Sequence, residues 1–226
     1  MANHLDLEEQ EQLDQIKHFW NTWGALISSV LIVVFGSVAA WNGYQFWQNR
    51  QGAQASALFD VIESAVQAGD QTRIQQAFSD IQNKYATTVQ AGQAGLLIAK
   101  MQSDQGNVDD SKAALEWVAT HASDEGYKSL ARLRLVSLLI EQKFYDEALQ
   151  PLSQKFPAEF DAIVADRKGD VLMLQEKKQD AIVEYTRAYK VFSAGTEYRR
   201  LVEVKLNALG SKPRVVLGSA AVEAAK

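Results

Sequence analysis

From Gly24 to Trp41 the chain reads GALISSVLIVVFGSVAAW without a charge, inside an uncharged stretch, Phe19 to Asn49, bounded by His18 and Arg50. As a helix this run covers roughly 27 Å at about 1.5 Å per residue, and a slightly longer helix crosses a ~30 Å hydrocarbon core. Trp20 and Trp23 stand at one end and Trp41, Tyr44 and Trp47 at the other, where amphipathic rings meet the headgroups. The pattern predicts a transmembrane helix over residues 23–47. A buried core helix of a soluble protein is one rival, but no charge interrupts the run. A cleavable signal peptide is the other, with small residues at Val38-Ala39-Ala40. The preceding tail carries Asp6, Glu8, Glu9, Glu11 and Asp14 against Lys17, whereas a signal peptide needs a positive n-region. An uncleaved signal anchor is therefore expected. Lys17 and Arg50 tie across the span, so charge bias leaves the orientation open.

Within the span, Ala25, Ser29, Gly36, Ala40 and Gly43 fall inside an arc of about 60° at helical spacing. Small residues on one stripe let another helix approach closely, which makes these five a candidate transmembrane packing face. Ile32 and Val33 interrupt it, and small residues are common in such helices. A second copy, another helix and no helix partner all remain open.

Beyond Arg50 the apolar positions recur at helical spacing, and no strict two-residue alternation supports a strand. Turn signals fall at Ala68-Gly69-Asp70, Asp104-Gln105-Gly106-Asn107, Gln142-Lys143 and Glu176-Lys177-Lys178. Ala181, Tyr185 and Ala188 match the small-large-small pattern in the second helix of a tetratricopeptide repeat. Gly169, twelve residues before Ala181, stands at the small position of the first helix. Ala148 with Leu152 and Val136, Ser111 with Leu115 and Ala99, and Ala77 with Ile81 and Ala65 repeat the arrangement. The anchors Ala77, Ser111, Ala148 and Ala181 lie about one repeat period of 34 residues apart. Small residues let the two helices of a hairpin approach, larger ones such as Tyr185 are expected to plug the groove between hairpins, and stacking supplies the core. The expectation is all-α: one transmembrane helix, then an α-solenoid of helical hairpins over residues 51–210. Tyr198 to Leu209 reads as a capping helix stopped by Gly210, and residues 211–226 as a loose tail. A generic helical bundle is the alternative.

Composition narrows the chemistry. The 226 residues carry a net charge of −5 and no cysteine. The acidic balance argues against nucleic-acid binding. Without cysteine there are no disulfides, thiolate metal sites or cysteine nucleophiles, although this alone does not set the compartment. His4 and His18 precede the span, and His121 is expected in a loop between repeats, so the three cannot share a metal. Asp109-Asp110 and Asp146-Glu147 begin second helices, where acids favour the helix dipole. No phosphate loop, nucleophile elbow or serine–lysine dyad is present. No metal, cofactor or enzymatic activity is expected.

A repeat array offers instead a concave face built from its first helices. By register the exposed inner positions are Leu96, Lys100 and Ser103, then Leu133, Ser137 and Ile140, then Asp166, Asp170 and Met173. Arg134 and Arg167 occupy a neighbouring position, but the last group is acidic, so capture of a C-terminal carboxylate is not the leading mode. A mixed groove suits an extended segment or a partner helix, unless several of these residues simply pack against the capping helix.

The approach to the span, HFWNTWG, its exit, WNGYQFW, and the degenerate repeats behind it resemble the bacterial YfgM family, tetratricopeptide-repeat-like proteins of the inner membrane. The resemblance covers almost the whole chain. It implies a cytoplasmic N-terminus, periplasmic repeats and a non-enzymatic ancillary role at the SecYEG translocon beside the periplasmic chaperone PpiD. A regulatory protein whose acidic residues 1–22 bind a soluble cytoplasmic partner is the second reading. A solvated tail is its plain counterpart.

Overall fold

A computed structural model describes residues 7–211, with side chains from Glu11 onward. Of the expected loose tail, only Ser211 falls among the described residues. The chain divides after Ala53 into two compact units. Helix α1, Leu7–Ala68, supplies the described part of the first and begins the second.

In the first unit the apolar run stays uncovered all round: Ile32, Phe35 and Phe46 are each about 70% exposed. A helix that is apolar on every side needs a non-aqueous surrounding, so the core-helix reading fails and a segment able to cross a membrane remains. Two of its hydroxyls bond along the helix itself. Ser29 Oγ donates to the Ala25 carbonyl and Ser37 Oγ to that of Val33, both at 2.7 Å, as a lipid environment requires.

The second unit stacks helical hairpins. The end of α1 pairs with α2 (Gln71–Lys84), α3 (Val89–Asp104) with α4 (Val108–His121), and α5 (Glu125–Glu141) with α6 (Tyr145–Leu152). After a short 3-10 turn at Ala158–Phe160, α7 (Asp161–Leu174) pairs with α8 (Lys178–Val191), and α9 (Glu197–Ala208) follows. No strand occurs among the described residues. Asp70, Thr88, Asp124 and Thr196 cap α2, α3, α5 and α9 by accepting a backbone N–H three residues on, which satisfies donors left free at a helix start.

Each hairpin reverses through one left-handed residue. Gly69 and Gly106 have φ of 70° and 80°, and the backbone N–H groups of Asp70 and Asn107 donate back to Ala65 (2.9 Å) and Gln102 (2.8 Å). Lys143 and Glu176 take the same conformation, φ 62° and 63°, with Phe144 donating to Leu139 and Lys177 to Leu172, both at 2.9 Å. The turn is thus a backbone motif, which two of the four hairpins build without glycine.

The small positions carry the close approaches. Ala65, Ala99, Val136, Ala77, Ser111, Ala148 and Ala181 are all buried. Ser111 Oγ donates 2.8 Å to the Ala99 carbonyl across the α3–α4 contact. A Cβ on Gly169 would stand 2.5 Å from the Tyr185 ring. Tyr185 therefore enters its own hairpin, where Gly169 leaves the room, and also meets the next helix, sharing a cluster with Val202 and Leu206 and lying 5.1 Å from the Lys205 ammonium. Gly95 receives Val118, with Phe78 and Trp117 packed edge to face beside it at 5.6 Å. His121 closes α4 instead of lying in a loop, its ring stacked 5.3 Å from Trp117. Helix α6 is short; Pro151 lies in its last turn and cannot support continued helix.

Stacking uses the repeat period directly. Gln90 donates to Ser56 (3.0 Å), Gln71 to Gln105 (3.1 Å) and Gln93 to Tyr127 (2.9 Å), each pair 34 residues apart. Lys112 meets Glu147 at 3.1 Å, 35 residues on. The acids that begin α4 and α6 do lie in the first turns. Asp146 and Glu147 also tie neighbouring hairpins, accepting from Gln175 and Lys112. One apolar cluster runs from Ile62 to Val171, and a second, around Tyr185, Tyr189, Val202 and Leu206, lies beneath α9.

Candidate partner-binding surface

The first helices α3 and α5 enclose a cleft of about 320 Å³. Lys100, Ser103 and Asp104 form one wall and Arg134, Ser137 and Glu141 the other, over a base that includes Ala99, Leu115 and Leu138. On α3, Ser103 and Asp104 stand three and four residues after Lys100, and on α5 Ser137 and Glu141 follow Arg134 at steps of three and four, so each set shares a face. Lys100 is held by Asp104 at 2.6 Å. The Arg134 guanidinium reaches the Leu96 carbonyl at 3.4 Å, and Ser137 Oγ donates to Leu133 at 3.3 Å. Two cations, two carboxylates and two hydroxyls over an apolar base can bond to a peptide backbone or an amphipathic helix. They do not assemble a nucleophile with a base, and no metal-ligating cluster occurs among the described residues. A larger cavity of about 440 Å³ opens between α4, α5 and α6, beside the Lys112–Glu147 pair, and holds none of the expected positions.

Of the nine concave-face residues, Lys100, Ser103 and Ser137 line the cleft. Leu96 and Leu133 are buried instead of exposed, 6% and 8% accessible, and Ile140 is half-buried against the same core. The stacking of α5 on α3 covers more of this face than register alone indicates. Asp166 is also buried, at 4%, while Asp170 and Met173 are half-buried. Asp104 and Glu141 were not foreseen, although each lies four residues after a wall residue already identified.

The fourth hairpin is closed from within. Lys205, projecting from α9, donates to Asp166 Oδ1 at 2.7 Å and to Asp170 Oδ1 at 2.6 Å. The Tyr185 hydroxyl donates to the same Asp170 oxygen at 2.8 Å, and Arg167 approaches its other oxygen at 3.6 Å. Burial holds the Asp166 carboxyl above its ordinary value, against the opposing pull of Lys205. Burial, then the neighbouring Asp170, pushes the Tyr185 phenol up as well. The acidic group at this end is therefore largely engaged by the capping helix.

In the first unit, Ala25, Ser29, Gly36, Ala40 and Gly43 keep their stripe along α1, and a Cβ on Gly36 or Gly43 would meet no neighbouring atom.

A family model for a tetratricopeptide repeat-like domain matches residues 17–211. A relative from Neisseria gonorrhoeae named ancillary SecYEG translocon subunit is 34% identical, over 92% of this chain and all of its own length. Proteins of the same name from Haemophilus influenzae (28%, 90% of this chain, 98% of the relative) and Escherichia coli (26%, 76% and 83%) are also similar. The chain belongs to the YfgM family of ancillary SecYEG translocon subunits, and carries its tetratricopeptide repeat-like domain.

Proposed function

We propose that this chain is itself an ancillary subunit at the SecYEG translocon: a non-catalytic repeat scaffold that docks the chaperone PpiD and assists the handling of translocated proteins. The observation that carries this reading is the 34% identity along the full length of the Neisseria relative. Residues 1–22 lie in the cytoplasm, residues 23–47 cross the inner membrane, and the repeats over 51–210 stand in the periplasm. The stripe from Ala25 to Gly43 meets another transmembrane helix. Tethering supports the role physically, because confinement beside a channel raises effective concentration without a tighter contact. The docking surface is the cleft between α3 and α5, whose balanced charge suits a peptide segment or helix.

The absence of cysteine makes a direct test clean. Single cysteines at Ala2 and Ser56 are labelled with a membrane-impermeant maleimide, and a photo-crosslinker is placed at Ser103 or Ser137. The expected result is labelling of Ser56 alone in intact spheroplasts, with crosslinks to PpiD and translocon subunits. Labelling of Ala2 from outside refutes the topology. Translocon adducts that persist unchanged after deletion of residues 51–226 refute the repeat-mediated scaffold.

A further inference from the structure

Helix α9 ends as the first helix of each hairpin ends. Gly210 has φ 75°, its N–H donates to Asn207 and that of Ser211 to Leu206, both at 3.0 Å. The turns after α3, α5 and α7 make the same pair of bonds. Aligning Gly210 with Glu176 places Val204 of α9 where Asp170 stands in α7, the residue that Lys205 grips as α9 stacks on the array. By the same shift Arg200 falls where Asp166 stands; Tyr198, which stacks on Phe192 at 5.9 Å, and Leu201 precede the stacking position Val204 at steps of three. Tyr198, Leu201 and Val204 are 54%, 49% and 64% exposed, whereas the outer face of a terminal repeat is ordinarily polar.

Charge identifies what fits there. Residues 51–176 hold eleven Lys and Arg against eighteen Asp and Glu, but residues 177–211 hold seven against four. Arg200, one turn before Val204, is exposed beside the apolar stripe, with the exposed Glu197 three residues before it, so the basic excess comes from the whole segment 177–211. A second copy would bring the same basic end to this face. Residues 212–226 contribute Lys212, Arg214 and Lys226 against Glu223, so they too present like charge. We propose that the exposed face of α9 docks an amphipathic helix of a partner protein, apolar along one stripe and acidic beside it, which stacks as the first helix of a fifth hairpin. This surface is distinct from the α3–α5 cleft, and it stands whichever protein occupies that cleft.

The test uses the full chain in phosphatidylcholine nanodiscs and two fluorescent peptides of about four helical turns. Both carry the same leucine stripe, flanked in one by glutamates and in the other by lysines, and binding is read by fluorescence anisotropy. The glutamate peptide is expected to bind roughly tenfold more tightly, with the preference shrinking at high salt. Leu201→Asp with Val204→Asp abolishes binding while leaving the circular dichroism melt unchanged, since both side chains are exposed. Arg200→Glu reverses the preference between the peptides, and Ser103→Asp in the cleft leaves it intact. Equal binding of the two peptides overturns the proposal, as does binding that survives the double substitution. A chain ending at Ser211 that binds markedly better assigns the face to the chain's own tail and overturns it also. So does concentration-dependent dimerisation abolished by the double substitution, which assigns the face to a second copy.

Discussion

Replacing Lys205 by Met leaves the Asp166 and Asp170 carboxylates sharing a half-closed site with no bridging cation. In the native chain one ammonium bonds both, at 2.7 and 2.6 Å, and the Asp166 side chain is only 5% exposed. Removing one partner of a buried ion pair costs about 3–5 kcal/mol. Lys205 and Asp170 each retain 23% exposure, so water recovers part of this and the loss is about 2–3 kcal/mol. The pH dependence separates this cause from lost packing. Burial already holds Asp166 above its ordinary value, and without Lys205 the carboxyl rises further. The folded variant then binds a proton that the unfolded chain, titrating near pH ~4, does not. Its deficit is fully present at neutral pH and shrinks as pH falls, by up to about 1.4 kcal/mol per unit. Urea unfolding followed by circular dichroism at pH 7 and pH 4.5 measures both quantities, and amide exchange at Val202 and Leu206 locates the loss at α9. Adding Asp166→Asn to Lys205→Met restores about half of the deficit. A loss below about 0.5 kcal/mol at pH 7, or one equal at both pH values, refutes the view that Lys205 neutralises a buried acidic pair.

Three further outcomes follow from the hairpin geometry. Gly169→Ala places a methyl 2.5 Å from the Tyr185 ring and lowers stability by about 1–3 kcal/mol, seen as a reduced melting temperature; Gly52→Ala, which meets no neighbour, does not. Lys143→Gly and Glu176→Gly each relieve a left-handed side chain and stabilise by about 0.5–1 kcal/mol, the αL penalty less the entropy cost of glycine; a lower urea midpoint for both refutes this. Tyr185→Phe loses a hydroxyl donated to Asp170 at 2.8 Å and costs about 1 kcal/mol at neutral pH. Because the native phenol is held above its ordinary value, the stability tied to its proton is complete below about pH 10 and declines as pH rises through the folded value. The gap between wild type and variant therefore narrows in alkaline melts.

The hairpin register was legible wherever side-chain size or backbone freedom leaves a mark in composition. Gly69 and Gly106 announced their turns, and Ala99, Ser111, Ala148, Ala181 and Gly169 announced the close approaches. Gln142-Lys143 and Glu176-Lys177-Lys178 marked turns, but not that Lys143 and Glu176 would take the left-handed conformation, which the array imposes on residues that do not prefer it. His121 was misplaced because α4 continues ten residues past its anchor Ser111, and the Trp117 ring gives the imidazole a stacking surface there.

The binding face was harder to read, and the reason is geometric. Periodicity states which residues of a helix share a side, but not how far the next first helix leans over it. On α3 and α5 that lean buries Leu96 and Leu133 and leaves Lys100, Ser103 and Ser137 at the cleft. On α7 the same positions carry Asp166 and Asp170, which need a counter-charge once covered. The chain supplies it as Lys205, 39 and 35 residues away, a separation within the ordinary distance between repeats. Buried acids on one first helix thus require a base on the next. In α9, the last described first helix, that requirement lapses: Val204 replaces the acid at the position of Asp170 and stays exposed. A stacking face that is apolar where its predecessor was acidic does not call for a basic helix like α9 as its neighbour, and the exposed Arg200 beside it favours an acidic one.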